Sequence, residues 1–397
     1  MKNCAEENRL LLQSDWFEAL RTTSTTEKIW SGYRLAGQKS EFIDVKQEKG
    51  VLTPLNDDRL SIERLTGRKM RLSTALVGAS TTFVAPFAQY DVLHRTSVEA
   101  IDISNGGLGV SASTDGSLLV WSSETGTVQR KLKGHALDVY KCRFFPSGLV
   151  VLSGGCDMQL KIWSVETGEC ARSLTGHTQA IMDVNFVGSG KNILSCSKDG
   201  TAKLWDCGSA ACLATISPES GCINAMSLGE SQNAGGNQEA EVDAGESGTE
   251  GKMLALTTEL GHCFVYDLRS KDLIASFKLD SAGNAVATAS DHDLFCGTQN
   301  GTIHRCDLRA KAIVEERRSN RSFVSHLVHS PKLGLVASYG DGTVIILDNS
   351  LNSAPPKFEF SGPDCDPVHD FALNNKFIVT ACRDKIVRKY MLSDCMD

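Results

Sequence analysis

Residue types that could build a nucleophilic catalytic site recur in this chain at a fixed spacing. The two clearest sets are His135 with Ser153 and Asp157, and His177 with Ser195 and Asp199. A histidine placed between a serine and an aspartate can activate the serine hydroxyl for attack on an acyl group. Acyl transfer or hydrolysis is therefore the first chemistry that these residues suggest.

The repetition of these sets favours a structural role over catalysis. A third set occurs at His94, Ser111 and Asp115, and each set is followed by a tryptophan: Trp121, Trp163 and Trp205. An active site rarely occurs in triplicate, and the chain has no G-x-S-x-G, P-loop or H-E-x-x-H motif. We predict that each His-Ser-Asp-Trp set, called a tetrad below, is a hydrogen-bonded network that joins a loop to a hairpin. The interpretation is a non-enzymatic protein without a cofactor.

The tetrads lie in a repeat of the length expected for a propeller blade. Gly134-His135 leads to Trp163, and Gly176-His177 leads to Trp205-Asp206, 42 residues further on. Units of 40 to 45 residues that begin near Gly-His and end at Trp-Asp are typical of WD-repeat blades. Because one such unit cannot bury both faces of its small sheet, it must stack on further copies.

Extending the same register predicts seven units. The tryptophan position is filled in the later units by Tyr266, Cys306, Leu347 and Tyr390. The fold class is therefore all-β: a seven-bladed WD-repeat propeller over residues 81–397 with a small β-rich N-terminal domain over residues 1–80. The segment Thr82 to Asp91 should supply the missing outer strand of the last blade and close the ring.

The N-terminal region does not follow the repeat. A short helix is predicted over Asp15 to Arg21, with Asp15 and Glu18 spaced as a capping pair. Four strands are predicted from alternating patterns and their breakers: Lys28 to Leu35, Glu41 to Lys46, Arg59 to Leu65, and Lys69 to Val77.

An insertion of about twenty residues, 229–251, lengthens the fourth unit. It is rich in Gly, Asn, Gln, Ser and Glu and has no aromatic residue. It is predicted to be a disordered loop between the first two strands of blade four. Both a tolerated insertion and a functional acidic segment fit this composition.

Composition and charge restrict the classes of partner. The formal net charge is −7, which does not favour nucleic acid or an anionic membrane surface. The clusters Arg68 to Arg71 and Glu316 to Arg318 are expected to be solvated strand or loop positions. The 14 cysteines include no C-x-x-C pair, so buried thiols are favoured over a metal site. We expect a monomer when free, in the cytoplasm and the nucleus.

A partner is expected on the top face of the ring, which is formed by the loops that enter each first strand and by the turns between second and third strands. The register places on this face Glu99, Asp138, Tyr140, Met182, Phe323, Asp364, Asp366 and His369. The acidic members form an arc across blades seven, one and two, and the apolar members are of the kinds enriched in interfaces. The alternative is that the acidic residues only keep the rim soluble.

Several stretches outside the repeat signature also carry information. They are Gln13 to Trp16 with Ala19 to Arg21, Arg143 to Gly148 running into Ser153 to Gly155, Asp199 to Ala202 with Leu204 to Gly208, Asp364 to Val368, and Cys382 to Asp384 with Leu392 to Asp394. In these stretches the chain resembles the proteasomal ATPase-associated factor family. The resemblance implies an assembly chaperone of the proteasome regulatory particle base. Such a chaperone binds the C-terminal domain of a proteasomal ATPase subunit and delays its docking on the core particle.

Two other classes of WD-repeat protein remain as alternatives. Substrate receptors of cullin-type ubiquitin ligases carry a Trp-Asp-x-Arg ending on a blade. Here the sequences from Tyr266 to Arg269 and from Cys306 to Arg309 keep Asp and Arg but lack Trp, and Trp205-Asp206 lacks the Arg. A scaffold resembling a G-protein β subunit is disfavoured because no heptad helix precedes the ring.

Overall fold

The computed structural model describes residues 3–21, 29–48, 51–55, 57–76, 78–230 and 245–395. Within these ranges the regular elements are β-strands, apart from helix α1 (Trp16–Ala19) and a 3-10 turn (Leu392–Asp394). Seven antiparallel blades of four strands form a closed ring. The predicted all-β, seven-bladed WD propeller is confirmed.

The N-terminal strands precede the ring in the chain and lie against blades five to seven. They are β1 (Asn3–Glu6), β2 (Arg9–Leu12), β3 (Ile29–Arg34), β4 (Glu41–Glu48), β5 (Val51–Pro54), β6 (Leu60–Arg64), β7 (Lys69–Thr74), β8 (Ala79–Val84) and β9 (Ala88–Tyr90). Strands β2 to β5 form a separate antiparallel sheet, whereas the other N-terminal strands extend or complete blades.

Each blade runs from an inner first strand to an outer fourth strand. Blade one is β10 (Val98–Ile103), β11 (Leu108–Ser113), β12 (Leu118–Ser122) and β13 (Val128–Leu132). Blade two is β14 (Val139–Phe144), β15 (Val150–Gly155), β16 (Leu160–Ser164) and β17 (Cys170–Leu174). Blade three is β18 (Ile181–Val187), β19 (Asn192–Ser197), β20 (Ala202–Asp206) and β21 (Ala211–Ile216). Blade four is β22 (Ile223–Glu230), β23 (Lys252–Thr258), β24 (His262–Asp267) and β25 (Leu273–Lys278).

The last three blades incorporate N-terminal strands. Blade five is β26 (Gly283–Thr288), β27 (Asp293–Thr298), β28 (Thr302–Asp307) and β29 (Ala312–Arg318), with β1 added in parallel to β29. Blade six is β30 (Val324–Ser330), β31 (Gly334–Tyr339), β32 (Val344–Leu347) and β33 (Phe358–Phe360), extended by β8, β7 and β6. Blade seven is β34 (Val368–Leu373), β35 (Phe377–Cys382) and β36 (Val387–Met391), completed by β9.

The core consists of the blade faces pressed against each other. The second strands are the most buried: every residue of β19 and of β35 is buried. A strand that packs on both faces must be apolar or internally hydrogen-bonded along its whole length, which explains why these strands do not alternate. The outer strands β13 and β17 are exposed except at their last residue. All seven residues assigned to the tryptophan position lie in the third strand of their blade.

The ring closes through an N-terminal strand, and the predicted segment is divided between two blades. Residues Ala88–Tyr90 pair antiparallel with β36 and complete blade seven, as expected. Residues 82–84 pair instead with β33 of blade six, in parallel. Pro86, which lacks a backbone N–H, separates the two pairings. Strand β8 crosses position 80, so the boundary expected there falls inside a strand.

The four predicted N-terminal strands are present as β3, β4, β6 and β7, while β1, β2 and β5 were not predicted. Helix α1 exists but is shorter than expected, and the predicted capping pair is wrong. Asp15 is the N-cap residue, but its side chain makes no capping hydrogen bond. It accepts a hydrogen bond from Gln13 Nε2 at 2.6 Å instead, which removes the carboxylate from the helix end.

The prediction of a solvated position is wrong for one basic cluster, Glu316 to Arg318. Arg317 is 1% exposed rather than solvated, because strand β1 and the loop after β32 cover it.

Of the insertion, residues 231–244 lie outside the described residues. Glu230 ends β22, and Gly245 and Ser247 hydrogen-bond the side chain of Asn192 in blade three. The predicted position between the first two strands of blade four is therefore the position observed.

Candidate partner-binding site

The tetrads of blades two and three form the expected chains of hydrogen bonds. In blade two, His135 Nδ1 lies 2.8 Å from Asp157 Oδ2, and His135 Nε2 lies 2.7 Å from Ser153 Oγ. The indole nitrogen of Trp163 donates to the same Ser153 Oγ at 2.8 Å. The corresponding distances for His177, Asp199, Ser195 and Trp205 in blade three are 2.8, 2.7 and 2.8 Å.

These contacts determine where each proton lies. Since the indole N–H can only donate, the serine oxygen accepts it and gives its own hydrogen to histidine Nε2. The histidine then carries its hydrogen on Nδ1 and donates it to the aspartate. A neutral imidazole satisfies every group in the chain, and burial lowers the pKa of His177 despite the nearby Asp199.

The same arrangement in a hydrolase would have an accessible serine, and here it does not. Ser111, Ser153 and Ser195 are each 0% exposed. The indole N–H occupies one acceptor site on each serine oxygen, and the tryptophan ring is itself buried beside it. A substrate cannot reach these hydroxyl groups in the folded protein. The tetrads therefore stabilise the blades.

Blade one departs from the predicted tetrad at its aspartate. His94 Nε2 lies 2.7 Å from Ser111 Oγ, but His94 Nδ1 lies 3.0 Å from Ser117 Oγ rather than from Asp115. Asp115 accepts the backbone N–H of Ser117, at 3.0 Å, and a hydrogen bond from the Ser117 side chain, so it reaches His94 only through that serine. The prediction that Asp115 completes the network by direct contact is wrong, because a serine two residues later takes its place. Burial lowers the pKa of His94 to about 4, although the Asp115 charge opposes this shift.

The predicted top-face residues gather around a depression of about 330 Å³, called the mouth depression below. Five of the eight line it: Glu99, Tyr140, Met182, Phe323 and His369. Each comes from the loop or first strand of a different blade: one, two, three, six and seven. The top-face register thus brings together residues far apart in the chain.

Tyr140 is the aromatic group in the depression with a hydrogen-bonding end. It is half-buried, and burial, together with Cys156 and the charges of Asp138 and Glu99, raises its pKa to about 12. The hydroxyl therefore stays protonated at neutral pH and can donate to a partner. An aromatic body with a polar tip is the side chain most often found at the centre of interfaces.

The three remaining predicted residues are acidic and lie outside the depression's lining. Asp364 accepts a hydrogen bond from Ser14 at 3.1 Å, and Asp366 pairs with Arg383 at 2.8 Å. The Asp138 carboxylate has no ion-pair partner among the described residues. The acidic arc is therefore weaker on blade seven than the sequence alone suggests, and Asp138 is its least compensated member.

Within and beside the depression, charged residues on the first strands connect several blades. Lys141 Nζ lies 2.9 Å from Asp370 Oδ1, and His326 Nε2 lies 3.3 Å from the same oxygen. Asp370 also accepts the backbone N–H of Ile101 at 3.2 Å, from the next blade of the ring. Asp183 accepts the N–H of Met226 in the same manner, at 3.1 Å. These groups hold the inner strands in place at the site.

Lys198 also lines the mouth depression and adds a positive charge to this face. It was not among the eight predicted partner-binding residues. It is exposed at the turn between β19 and β20, so the face is acidic on blades one and two and basic on blade three. The repeat register places the turn residue just before Asp199 on the top face, and the structure places Lys198 in the lining of the depression. Within the described residues, no group of three or more His, Cys, Asp or Glu side chains is placed to hold a metal ion. No helix in the described ranges is long and apolar enough to span a membrane.

Comparison with known proteins gives two kinds of match: one to two single repeats, and one to nearly the whole chain. The family described as WD domain, G-beta repeat matches residues 126–164 and 168–206. Each match runs from the outer strand of one blade to the third strand of the next, the offset that closes the ring.

Longer similarity exists to several curated proteins. The chain is 43% identical over 394 residues to Proteasomal ATPase-associated factor 1 of Homo sapiens, covering 97% of this chain and 99% of that protein. It is 43% identical over 395 residues to the protein of the same name from Gallus gallus, with the same coverage. A protein of Dictyostelium discoideum described as Probable proteasomal ATPase-associated factor 1 is 42% identical over 307 residues, 72% of each chain. The similarity includes the N-terminal strands as well as the ring.

Proposed function

We propose a function from one premise: the chain belongs to the proteasomal ATPase-associated factor 1 family. It is a proteasome-associated WD-repeat factor, and its role is to bind the C-terminal domain of a proteasomal ATPase subunit during assembly of the regulatory particle base. In this role it is a non-enzymatic chaperone, a monomer when free, in the cytoplasm and the nucleus.

The observation that carries the proposal is the mouth depression with Asp138 beside it. Tyr140, Met182 and Phe323 supply apolar contact area from three different blades, two, three and six. Glu99 and Asp138 supply negative charge on blades one and two. A partner with a basic, partly apolar surface matches this combination, and complementary charge speeds the encounter and selects the partner.

The first prediction concerns Asp138. Replacing it with lysine (D138K) introduces a positive charge where the acidic arc is not compensated. We expect the association rate with the ATPase C-terminal domain to fall by about tenfold at low salt. Replacing Asp366 with lysine should have a smaller effect, since Arg383 already neutralises that carboxylate. Surface plasmon resonance against the purified C-terminal domains of the proteasomal ATPase subunits measures both.

Glu169→Lys is the matched control. It makes the same charge change in blade two, in the turn between β16 and β17 at the opposite end of the third strand. Association rates that are unchanged by D138K, or reduced equally by D138K and E169K, would show that this face does not contact the partner.

A further inference from the structure

A second concave surface lies where the N-terminal region meets blade seven, and the proposed function does not use it. It is a groove of about 940 Å³, called the seam groove below. Helix α1, the turn between β6 and β7, the segment between β8 and β9, and the 3-10 turn after β36 form its walls. It shares no lining residue with the mouth depression.

The floor of the seam groove is apolar and partly aromatic. Phe17 is half-buried on α1, and Phe87 is 47% exposed although it follows the buried Pro86. The backbone N–H of Phe87 donates to Lys389 O at 2.7 Å, so the strand pairing of blade seven fixes its position. A large aromatic side chain that is held rigidly and left half exposed is suited to contact a ligand.

The rim of the seam groove is cationic. Arg21, Arg64 and Arg68 line it, against the carboxylates of Glu18 and Asp394. Glu18 lies 3.6 Å from Arg21, and both side chains are more than half exposed. Arg64 and Arg68 have no ion-pair partner among the described residues.

The Arg68 side chain is held in a fixed position and has an unpaired hydrogen-bond donor. Its guanidinium carbon lies 4.7 Å from the centre of the Phe87 ring, which fixes the planar group over the floor. Its Nε is buried and has no hydrogen-bond partner among the described residues. A guanidinium with an unused donor favours a carboxylate, which it can bind through two parallel hydrogen bonds.

We propose that the seam groove binds an acidic peptide segment of a partner protein, with carboxylates on Arg64 and Arg68 and an aromatic side chain on Phe87. A peptide fits better than a nucleic acid, because it can place separate carboxylates on Arg64 and Arg68 and uncharged residues opposite Glu18 and Asp394, whereas a phosphate backbone carries a charge on every nucleotide.

Fluorescence anisotropy with a labelled decapeptide that carries two glutamates and two central phenylalanines among serines and glycines tests this proposal on the full chain. We expect the peptide to bind, its lysine-for-glutamate counterpart not to bind, and its affinity to fall at least tenfold in the R64E/R68E variant. Phe87→Ala should lower the affinity severalfold. The control variant K133E/R172E makes the same total charge change at exposed positions outside the groove and should leave the affinity within twofold.

Wild-type protein alone supplies a further measurement that does not depend on the folding of a variant. Its affinity for the acidic peptide should fall as sodium chloride is raised from 50 to 300 mM. The proposal is overturned if the acidic peptide does not bind or if both double variants bind it equally. Tighter binding of a single-stranded oligothymidylate than of the peptide would overturn it in favour of a nucleic-acid site. Asp138 lies outside the seam groove, so the effect of D138K on binding of the ATPase domain tests the mouth depression alone. Failure of the proposed function and failure of the seam-groove proposal are therefore distinguishable.

Discussion

At the scale of single residues, Asp115 and Asp157 occupy the same position of the repeat but have different partners. Asp157 accepts hydrogen bonds from the His135 ring and from the backbone N–H groups of Ala136 and Gln159. Asp115 accepts hydrogen bonds from the backbone N–H and the side chain of Ser117, and none from the His94 ring. The energetic importance of the aspartate therefore depends on whether the histidine is within its reach.

The second prediction compares these two aspartates. Asp157→Ala should lower the free energy of unfolding by about 1.5–3 kcal/mol, because a charged acceptor is lost and the His135 Nδ1–H is left unpaired. Asp115→Ala should cost about 1 kcal/mol, because only hydrogen bonds within the exposed turn are lost and the His94 ring keeps Ser117 as its partner. Urea unfolding of both variants measures the difference. Equal costs would contradict the assignment of Ser117 as the partner of His94.

The sequence predicted most of this residue-scale detail because the repeat itself fixes loop, strand and turn relative to each other. His94, Ser111 and Trp121 lie in contact as expected from their spacing. The substitution of Ser117 for Asp115 could not be predicted, since both residues lie in the same turn and their spacing does not say which side chain meets His94. The partners of Asp364 and Asp366 were also beyond sequence, because Ser14 lies 350 positions away from Asp364.

At the scale of elements, the N-terminal segment is attached to the ring by a buried ion cluster. Glu7, between β1 and β2, is 2% exposed, and its carboxylate lies 3.2 Å from Arg317 and 3.1 Å from Arg321. Arg321 also lies 2.7 Å from Glu359 on β33. This cluster joins the chain's N-terminal strands to blades five and six, which lie more than 300 residues later.

The third prediction concerns Glu7. Burial alone would raise its pKa, but the charges of Arg321 and Arg317 lower it from 4.5 to about 2. Since the pKa is lower in the folded state, the stabilisation is complete above about pH 4.5 and is lost as the pH falls towards 2. Glu7→Gln should cost about 3–5 kcal/mol at pH 7, because it leaves two arginines without that charge.

Unfolding curves of wild type and E7Q at several pH values check this prediction. The difference between the two proteins should shrink as the pH falls below 4.5. Glu6→Gln, at the exposed neighbouring position, is the control and should change stability little at any pH. A difference between wild type and E7Q that stays constant from pH 7 to pH 3 would contradict the ion-cluster account.

Sequence patterns found the N-terminal strands with alternating side chains but not the pairings that connect them to the ring. Strand β1 is only four residues long, and it adds in parallel to β29. Arg317 belongs to a run of charges that resembles a solvated strand edge. Its burial arises because a distant acidic residue and the carbonyl oxygens of Asn352 and Ala354 receive its donors. Local composition contains no trace of such a partner.

At the scale of the whole molecule, the ring holds one rigid face whose sequence varies from blade to blade. Its framework residues are the tetrads, and its recognition residues are the neighbours that the repeat does not constrain. This division explains why the sequence predicted the ring of seven blades but not the contacts of the individual face residues. The register located Tyr140, Met182 and Phe323 on the mouth depression, but the pairing of Asp366 with Arg383 came from the three-dimensional arrangement.

The central claim is that this face binds a proteasomal ATPase subunit outside the complete proteasome. Affinity purification of the chain, tagged and expressed at its endogenous level, with mass spectrometry of the bound proteins, tests that claim most directly. We predict recovery of free ATPase subunits and incomplete regulatory particles by the wild-type chain, with a strong reduction in the D138K variant and not in E169K. Recovery of a cullin-type ligase adaptor without any proteasomal ATPase would contradict the claim.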